Sequence, residues 1–309
     1  HLDKINNFKE LESQLNLALK SQILPRIKKG QLKLAIDLTL IPYYGEPSEK
    51  EEPYIYRSQA KQGTCSFYAY ATLYVIKKGK RLTLALKGVS PRDTSVKIIT
   101  ELLDHISSLK IDFKNLYLDR GFFSISVIRW LKALDIPFTM PAIRRGKTGG
   151  INQFLKGDKS YKTSYDMTNN QGDSVEFDLW IVCKYLKGKR NKHGLEYFAY
   201  AVYKPSVSLG YIHEDYRHRF GIESSYRIKN LCRIKTTNKK PVVRLLFMGI
   251  SFILVNIWIK LLWQKVSHPR QGGRLIYRNL FTFKQMLSFL RQAVDKLYQV
   301  VDAIYLPSG

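Results

Sequence analysis

The segment Leu32–Ile41 reads LKLAIDLTLI and holds one acidic residue inside an otherwise apolar run. Successive side chains of a strand point to opposite faces, so Leu34, Ile36, Leu38 and Leu40 share one face and Ala35, Asp37 and Thr39 the other. A lone carboxylate within an apolar strand is costly unless something binds it. The segment therefore predicts a largely buried strand on which Asp37 has a function.

A second acid follows a second predicted strand, FKNLYLD (Phe113–Asp119). Asp119 stands where this strand ends against the glycine turn of YLDRGFFS, and side chains at strand ends project into the crevice along a sheet edge. An aspartate before Arg-Gly is also common as an ordinary turn residue. Asp119 is therefore a candidate catalytic residue, and the alternative is that it only shapes the turn.

A third acid lies in YRHRFGIESSYRIKN (Tyr216–Asn230), a segment rich in arginine that contains a single carboxylate, Glu223. If this segment is helical, spacings of three and four residues place Tyr216, Arg219 and Arg227 on the face of Glu223. A surface ion pair between Glu223 and a neighbouring arginine would be worth under about 1 kcal/mol. Glu223 is therefore either part of such a weak surface ion pair or a carboxylate that faces one phosphate-binding site together with the basic side chains.

The overall charge favours a polyanionic partner. The chain of 309 residues has 51 Lys and Arg against 25 Asp and Glu, a formal net charge of +26. Residues 211–309 are the most basic third, with 17 basic against 5 acidic side chains. Nucleic acid is the first candidate for such a partner, and an anionic membrane the second.

The order of predicted elements favours an α/β fold. Three strands come first, then a helix, a strand, a helix that Ser124 is placed to cap, and a strand. A β-rich segment and further helices follow, with a loop expected at HPRQGGR (268–274). This order predicts a mixed sheet flanked by helices. The expected units are a helical lead-in (1–30), a core in two parts (31–142 and 211–265), a β-rich insertion (143–210) and a C-terminal helical tail (266–309).

One segment has to be tested as a membrane span. LLFMGISFILVNIWIKLLW (Leu245–Trp263) is nearly apolar and just long enough to cross a bilayer. Asn256 and Lys260 lie inside it, and a helix that is apolar all round is also typical of a buried core helix. The core interpretation is favoured, so no membrane is expected, and an anchored membrane protein remains the alternative.

The cysteines indicate a reducing compartment. Cys65, Cys183 and Cys232 are far apart and form no zinc-binding spacing. We expect a cytoplasmic protein in which each cysteine is a small buried hydrophobic residue. Because the sequence begins with His1, a preceding domain stays an open question.

The three acidic segments together resemble a known family. AIDLT (Ala35–Thr39), YLDRGFFS (Tyr117–Ser124) and YRHRFGIESSYRIKN (Tyr216–Asn230), in this order, resemble the DDE transposases of prokaryotic insertion sequences. The closest resemblance is to the insertion-sequence-four group, and within it to the branch found in haloarchaea and some other prokaryotes. It covers roughly residues 31–265.

The third segment carries the signature of that group only in part. Tyr216, Arg219 and Glu223 keep the group's spacing, but the position seven residues after the glutamate, where the group has lysine, is Asn230. Lys229 is one residue early and turns away from the Glu223 face. Arg227, four residues after Glu223, is the better-placed substitute.

The resemblance implies both a fold and a chemistry. It implies an RNase H-like fold in which Asp37, Asp119 and Glu223 are the catalytic residues and the metal ligands. Two Mg²⁺ ions, for which Mn²⁺ can substitute, would take carboxylate oxygens as ligands. Such ions activate a water or a 3′-hydroxyl and stabilise the leaving oxygen.

The resemblance also implies the partners. The substrates would be double-stranded DNA, namely terminal inverted repeats and target DNA, handled by a homodimer in a synaptic complex close to the nucleoid. Tyr216 would stack on DNA and Arg219 would hold a phosphate. The full set of expected DNA contacts is Tyr216, Arg219, Arg227, Arg144, Arg145, Lys189 and Arg190.

Two other functions are compatible with the same residues. One is an RNase H-like nuclease, such as a junction resolvase, which hydrolyses DNA without joining it. The other is a catalytically inactive DNA-binding protein derived from a transposase. An assay for joined products separates the first from a transposase, and the effect of Asp37→Ala on cleavage separates the second.

Overall fold

The strands of this protein build one large sheet and one small hairpin. The computed structural model describes residues 7–23, 31–77, 80–185, 194–219, 231, 234, 236–271 and 273–299. Within these residues the strands are β1 (Leu32–Pro42), β2 (Tyr56–Lys61), β3 (Thr64–Lys77), β4 (Lys80–Val89), β5 (Phe113–Tyr117), β6 (Phe138–Pro141), β7 (Tyr161–Thr168), β8 (Ser174–Tyr185), β9 (Leu195–Tyr203), β10 (Ser267–Arg270) and β11 (Gly273–Ile276).

Four of the described helices begin directly after a residue whose side chain caps them. Asn7, Thr94, Ser124 and Thr282 each accept a backbone N–H of the first turn that follows them, as N-caps do. The capping role predicted for Ser124 is thereby confirmed. The described helices are α1 (Phe8–Ser21), α2 (Ser95–Ser107), α3 (Ile125–Ala133), α4 (Leu209–Arg217), α5 (Pro241–Lys265) and α6 (Phe283–Leu297).

The predicted mixed sheet is confirmed, and its central strand is β1. β1 pairs antiparallel with β3 on one side and parallel with β5 on the other, and β5 pairs parallel with β6. β4 pairs antiparallel with the outer side of β3. The core order β4-β3-β1-β5-β6 is that of an RNase H-like sheet, with helices on both faces.

The β-rich insertion continues this sheet. β9 pairs antiparallel with β6 through Phe138↔Tyr203 to Pro141↔Tyr200, and β8 and β7 follow outward. The prediction that residues 143–210 are β-rich is confirmed. Their strands extend the core sheet because β6 would otherwise leave a row of unpaired backbone groups along an edge.

Some local expectations were wrong. β2 was not predicted, and HPRQGGR, which was expected to be a loop, forms the β10–β11 hairpin, so the described part of the C-terminal tail is not wholly helical. Cys65 is exposed rather than buried, and Cys183 is partly exposed. The boundaries at residues 30, 142, 210 and 265 stay predictions.

The long apolar helix α5 packs on the core. By length and composition it is the one helix among the described residues that could cross a membrane. It lies against α1 and β4, and the close approach of α1 occurs at Gly249, where a Cβ would come 2.4 Å from Leu15 Cδ1. Its fully buried Asn256 donates to the carbonyl of Thr83 and accepts from its N–H. These contacts favour a core helix.

The edge of the sheet at β4 is closed by side chains. Asn256 of α5 binds both backbone groups of Thr83, and Asn16 of α1 binds both backbone groups of Leu86 at 2.8 Å each. Buried backbone groups need such partners. The two asparagines therefore take the place of a further strand along the part of β4 that faces the helices.

Helices cover the face of β1 that carries Asp37 in two separate places. Ala35 belongs to the apolar cluster beneath α4, and Ile41 belongs to the cluster beneath α1 and α5. The opposite face, with Leu34 and Ile36, packs on α2 and α3. Asp37 therefore lies between the two helical groups, at a point where the sheet is accessible beside buried neighbours.

Candidate active site

Two of the three predicted acids lie side by side on neighbouring strands. β1 and β5 run parallel, and Ala35 is paired with Tyr117. Asp37 and Asp119 each follow that pair by two residues, so their side chains leave the sheet at the same level and on the same face. The sequence pattern predicted each acid separately, and the parallel register brings them together.

One guanidinium group joins the two carboxylates. Arg219 donates from Nη1 to Asp119 Oδ1 at 3.2 Å, and its Nη2 lies 3.5 Å from Asp37 Oδ1. The side chain of Arg219 is 5% exposed, that of Asp37 13% and that of Asp119 46%. The site is therefore a buried cation with one nearly buried and one half-exposed carboxylate.

The charge of Arg219 is stabilised by its surroundings. Burial by itself lowers the pKa of this guanidinium, but its interactions with Tyr216, Tyr74, Asp119 and Asp37 outweigh that effect, so the pKa lies above its ordinary value. A buried charge is retained in this way when it is paired and hydrogen-bonded. Arg219 is consequently a permanent cation between the acids.

Tyr216 lies beneath the site rather than on its surface. Its ring is 2% exposed, its hydroxyl donates to the carbonyl of Leu118 at 3.1 Å, and Arg219 Nη1 donates to the same hydroxyl. Burial raises the pKa of Tyr216, so it stays protonated. A buried ring offers no face to a base, so the stacking role predicted for Tyr216 is corrected to one of support for Arg219.

The helix that bears Tyr216 is shorter than expected. α4 ends at Arg217, and Arg219 lies in the turn that follows, its N–H bonded to the carbonyl of Tyr216 at 2.9 Å. Arg219 therefore reaches the acids from a turn and not from a helix face. Four of the predicted site residues lie outside the described residues: Glu223, Arg227, Lys189 and Arg190.

A cleft whose lining has more basic than acidic residues lies next to Asp119, since Arg120 forms part of its wall. It has a volume of about 810 Å³ between α4, β8, β9 and the segment after β6. Of the two arginines predicted from the segment 143–145, Arg144 lines the cleft and donates to the carbonyl of Tyr197, whereas Arg145 is exposed outside the lining. Tyr216 forms part of its wall.

The cleft contains three basic residues that sequence reasoning missed. Arg120 follows Asp119 directly, Arg217 follows Tyr216, and Lys184 comes from the insertion strand β8. For the two arginines the signal was present, since each stands next to a predicted site residue. Lys184 had no such signal, because only the pairing of β8 with β9 brings it to this place.

The donor set suits a divalent cation. Asp37 and Asp119 supply carboxylate oxygens that converge on one cationic group, and Mg²⁺ prefers such oxygens together with water and phosphate. Within the described ranges, no three His, Cys, Asp or Glu side chains gather closely enough to hold a metal ion. The third expected ligand, Glu223, is not among the described residues.

An RNase H-like sheet with paired aspartates on adjacent central strands defines a class, the RNase H-like proteins. Within this class the sequence is more specific, since residues 28–257 match the family model described as the transposase DDE domain. The match covers more than half of the chain. The chain belongs to the DDE transposase domain family.

A search of solved structures supports the fold. The chain is similar to the piggyBac transposase in a cryo-EM structure of its synaptic complex with hairpin DNA, with a TM-score of 0.53 and 12% sequence identity. The similarity covers 88% of this chain and 55% of that one, so this chain spans about half the length of that transposase. No curated protein matches the sequence.

Proposed function

We propose that this chain is an insertion-sequence transposase of the insertion-sequence-four-like group, in its haloarchaeal-type branch. It binds terminal inverted repeats, cleaves the DNA strands at the transposon ends and joins the freed ends to target DNA. One observation carries the proposal: Asp37 on β1 and Asp119 just after β5 converge on the buried guanidinium of Arg219. The Tyr216–Arg219–Glu223 spacing supports the assignment to the group.

The acids have a shared role in this proposal. Asp37 and Asp119, with Glu223, hold two Mg²⁺ ions, which supply an activated nucleophile and stabilise the leaving oxygen when bound. Arg219 offsets the repulsion between the two carboxylates, because its guanidinium contacts both. It also presents positive charge where a DNA phosphate approaches the half-exposed Asp119.

The basic cleft gives the DNA a path to the acids. In its lining Arg120, Arg144, Lys184 and Arg217 outnumber Glu196 and Glu214, although Lys184 Nζ lies 3.6 Å from Glu214 Oε1. Phosphate contacts from basic residues supply most of the affinity of sequence-independent DNA binding. The net charge of +26 acts in the same direction over longer distances. Arg145, Lys189, Arg190 and Arg227 are proposed as further contacts.

The proposed assembly is a homodimer on two transposon ends in the cytoplasm, near the nucleoid. Two ends have to be processed together for a transposon to move as a unit. The similar piggyBac structure is itself a synaptic complex with hairpin DNA, which supports a comparable arrangement here.

The test is cleavage and joining of a terminal inverted repeat in Mg²⁺ by the wild-type chain, Asp37→Asn and Asp119→Asn. Both variants should lose cleavage while keeping end binding, since each loses a charged ligand without a change of shape. Asp104→Asn is the matched control, because Asp104 is exposed on α2 at the opposite face of the sheet. It should cleave like the wild type.

The other outcomes identify the alternatives. Cleavage by the wild type without joined products indicates a nuclease or resolvase. End binding without cleavage by the wild type indicates an inactive transposase-derived protein. Full cleavage by Asp37→Asn contradicts the catalytic role of the acid pair.

A further inference from the structure

A second polar cluster links the same three elements that form the candidate active site. Asp215 of α4 pairs through Oδ1 with Lys33 Nζ of β1, and through Oδ2 it accepts the hydroxyl of Tyr117 of β5. The side chains of Lys33 and Asp215 are 20% and 11% exposed, and Tyr117 is fully buried. We call Lys33, Asp215 and Tyr117 the inner triad.

Each member of the inner triad stands a short, fixed distance from a site residue. Lys33 precedes Asp37 by four residues on the same face of β1, about 13 Å along the strand. Tyr117 precedes Asp119 by two residues, and Asp215 precedes Arg219 by four. A movement of Lys33 or Tyr117 would therefore be passed along the strand to a carboxylate, and a movement of Asp215 would be passed along the chain to Arg219.

The sheet alone fixes the acids but not the arginine. β1 and β5 are held to each other by backbone hydrogen bonds, so Asp37 and Asp119 keep their relation without help from α4. α4 rests on the sheet through apolar side chains such as Ile212, and apolar contacts have no direction. Hydrogen bonds do have one. The inner triad, together with the bonds of Tyr216 to Leu118 and of His213 to Tyr200, therefore defines the place of α4 along and across the strands.

The chemistry of Asp215 suits this task. A carboxylate accepts with both oxygens, so it can hold a strand on each side, which an amide cannot do in the same way. Burial and the bond to Asp215 both raise the pKa of Tyr117, which therefore stays protonated and remains a donor. Both bonds of the cluster thus run in one sense, from donors on the sheet to one acceptor on the helix.

We propose that the inner triad is a positioning device that sets Arg219 against Asp37 and Asp119. Its effect on catalysis rests on the proposed function, but its effect on the place of Arg219 does not. Among the described residues, Lys33, Asp215 and Tyr117 bond to neither Asp37 nor Asp119, so we assign them a positioning and not a catalytic role.

The first test reads the place of Arg219 directly. The arginine side-chain NMR signals of the ¹⁵N-labelled chain are recorded for the wild type and Asp215→Asn, with Arg219→Lys to assign the signal of interest. Asp215→Asn should shift or broaden the Arg219 signal. Asp135→Asn is the matched control, because Asp135 accepts from a tyrosine and a lysine in the same way at the surface. It should leave the signal in place.

The second test reads catalysis at saturating DNA and Mg²⁺. Asp215→Asn should lower kcat by about 10–100-fold, the size of effect seen when residues that orient metal ligands are removed. The Kd for the inverted repeat should stay within about twofold of the wild type, and Asp135→Asn should match it in both constants. Tyr117→Phe removes one hydrogen bond at nearly constant volume, so its kcat should lie between those of the wild type and Asp215→Asn. This second variant keeps the test valid if Asp215→Asn does not fold.

The outcomes separate the two proposals. If the wild-type chain does not cleave, the proposed function fails, and the NMR comparison still tests the positioning. If Asp215→Asn and Tyr117→Phe leave both the Arg219 signal and kcat unchanged, the inner triad only stabilises the fold and the inference is overturned.

Discussion

The molecule contains two clusters made of the same three residue types in different surroundings. In the inner triad Asp215 accepts from Lys33 and Tyr117, and in the outer triad Asp135 accepts from Lys204 and Tyr203. In the inner triad the lysine and aspartate are 20% and 11% exposed. In the outer triad they are 56% and 62% exposed.

The difference shows that the environment of such a cluster determines its role. At the surface, water replaces a lost partner and the side chains are mobile, so an ion pair there adds little to stability. Inside, a charge that loses its partner remains without water and without compensation. The inner triad also joins three elements that carry the acids and Arg219, whereas the outer triad joins the end of β9 to the end of α3.

The largest contrast is expected for removal of the shared acceptor. Asp215→Ala leaves the largely buried Lys33 without its partner and should lower the free energy of unfolding by about 2–3 kcal/mol. This is somewhat below the 3–5 kcal/mol typical of fully buried pairs, because Lys33 keeps some access to water. Asp135→Ala should lower the midpoint of urea unfolding only slightly, and this small loss is expected because aspartate tolerates the left-handed backbone at this position (φ 54°) better than alanine does.

The control is the double variant Lys33→Met, Asp215→Leu, which removes the whole charge pair in an apolar environment. It should recover part of the loss, since no unpaired charge remains. Equal unfolding midpoints for Asp215→Ala and Asp135→Ala would contradict the contrast between the two triads.

The second contrast concerns the tyrosines. Tyr117→Phe removes a hydrogen bond to a charged acceptor in a fully buried position and should cost about 1.5–3 kcal/mol at most. Tyr203→Phe at the outer triad should have no measurable effect on unfolding. The measurement is the same urea titration, and a loss for Tyr203→Phe as large as that for Tyr117→Phe would show that exposure does not separate the clusters.

Local patterns in the sequence were enough for the strand that carries Asp37. Alternation along LKLAIDLTLI correctly placed Leu34 and Ile36 on one core face and Ala35 with Asp37 on the other. The cap at Ser124 and the β-rich character of the insertion were likewise predicted. Such features depend on residues a few positions apart, which a single sequence displays.

Contacts between distant residues could not be predicted in this way. Lys33 and Asp215 are separated by 182 positions, and no local pattern marks them as partners. The sequence grouped Arg219 with Glu223 on a helix face, whereas the turn after α4 takes Arg219 to Asp37 and Asp119. Only the topology of the sheet, with β1 beside β5 and α4 across them, determines these contacts.

The burial of Tyr216 was missed for a related reason. An aromatic residue among arginines is typical of a surface that stacks on bases, and the sequence shows no sign that α4 turns this ring toward Tyr117 and Tyr200. The candidate site was therefore predicted in its chemistry, through Asp37 and Asp119, and not in the way its parts are held.

A smaller effect on stability is expected when the pH is lowered, through a buried histidine of α4. His213 of α4 bonds to the hydroxyl of Tyr200 at 2.9 Å, packs against Phe198, and has Glu196, Glu214, Lys184 and Arg217 around it. Burial lowers its pKa below the ordinary 6.5. The unfolded chain then binds more protons, so stability should fall as the pH drops below about 6.5 toward the lowered value.

The measurement is the free energy of unfolding at pH 7.5 and at pH 5.5 for the wild type and His213→Gln. The variant should lose less stability on acidification than the wild type. Some loss should remain, because burial also lowers the pKa of His105. If the free energy of unfolding of His213→Gln changes with pH as steeply as that of the wild type, protonation of His213 does not cause the loss of stability in acid.

The smallest effect, and the most direct measure of the difference between the triads, is the response to salt. Salt screens exposed charges that are farther apart than about 10 Å at 0.1 M ionic strength and about 3 Å at 1 M, and it screens buried pairs much less. The coupling between Lys204 and Asp135, taken from a double-mutant cycle, should therefore vanish within error by 1 M NaCl. The coupling between Lys33 and Asp215 should keep most of its low-salt value, since solvent ions reach neither side chain freely. If salt lowers the two coupling energies to the same extent, the inner triad is as hydrated as the outer one. In that case water can replace the bonds of Asp215, and the inner triad does not hold α4 in place.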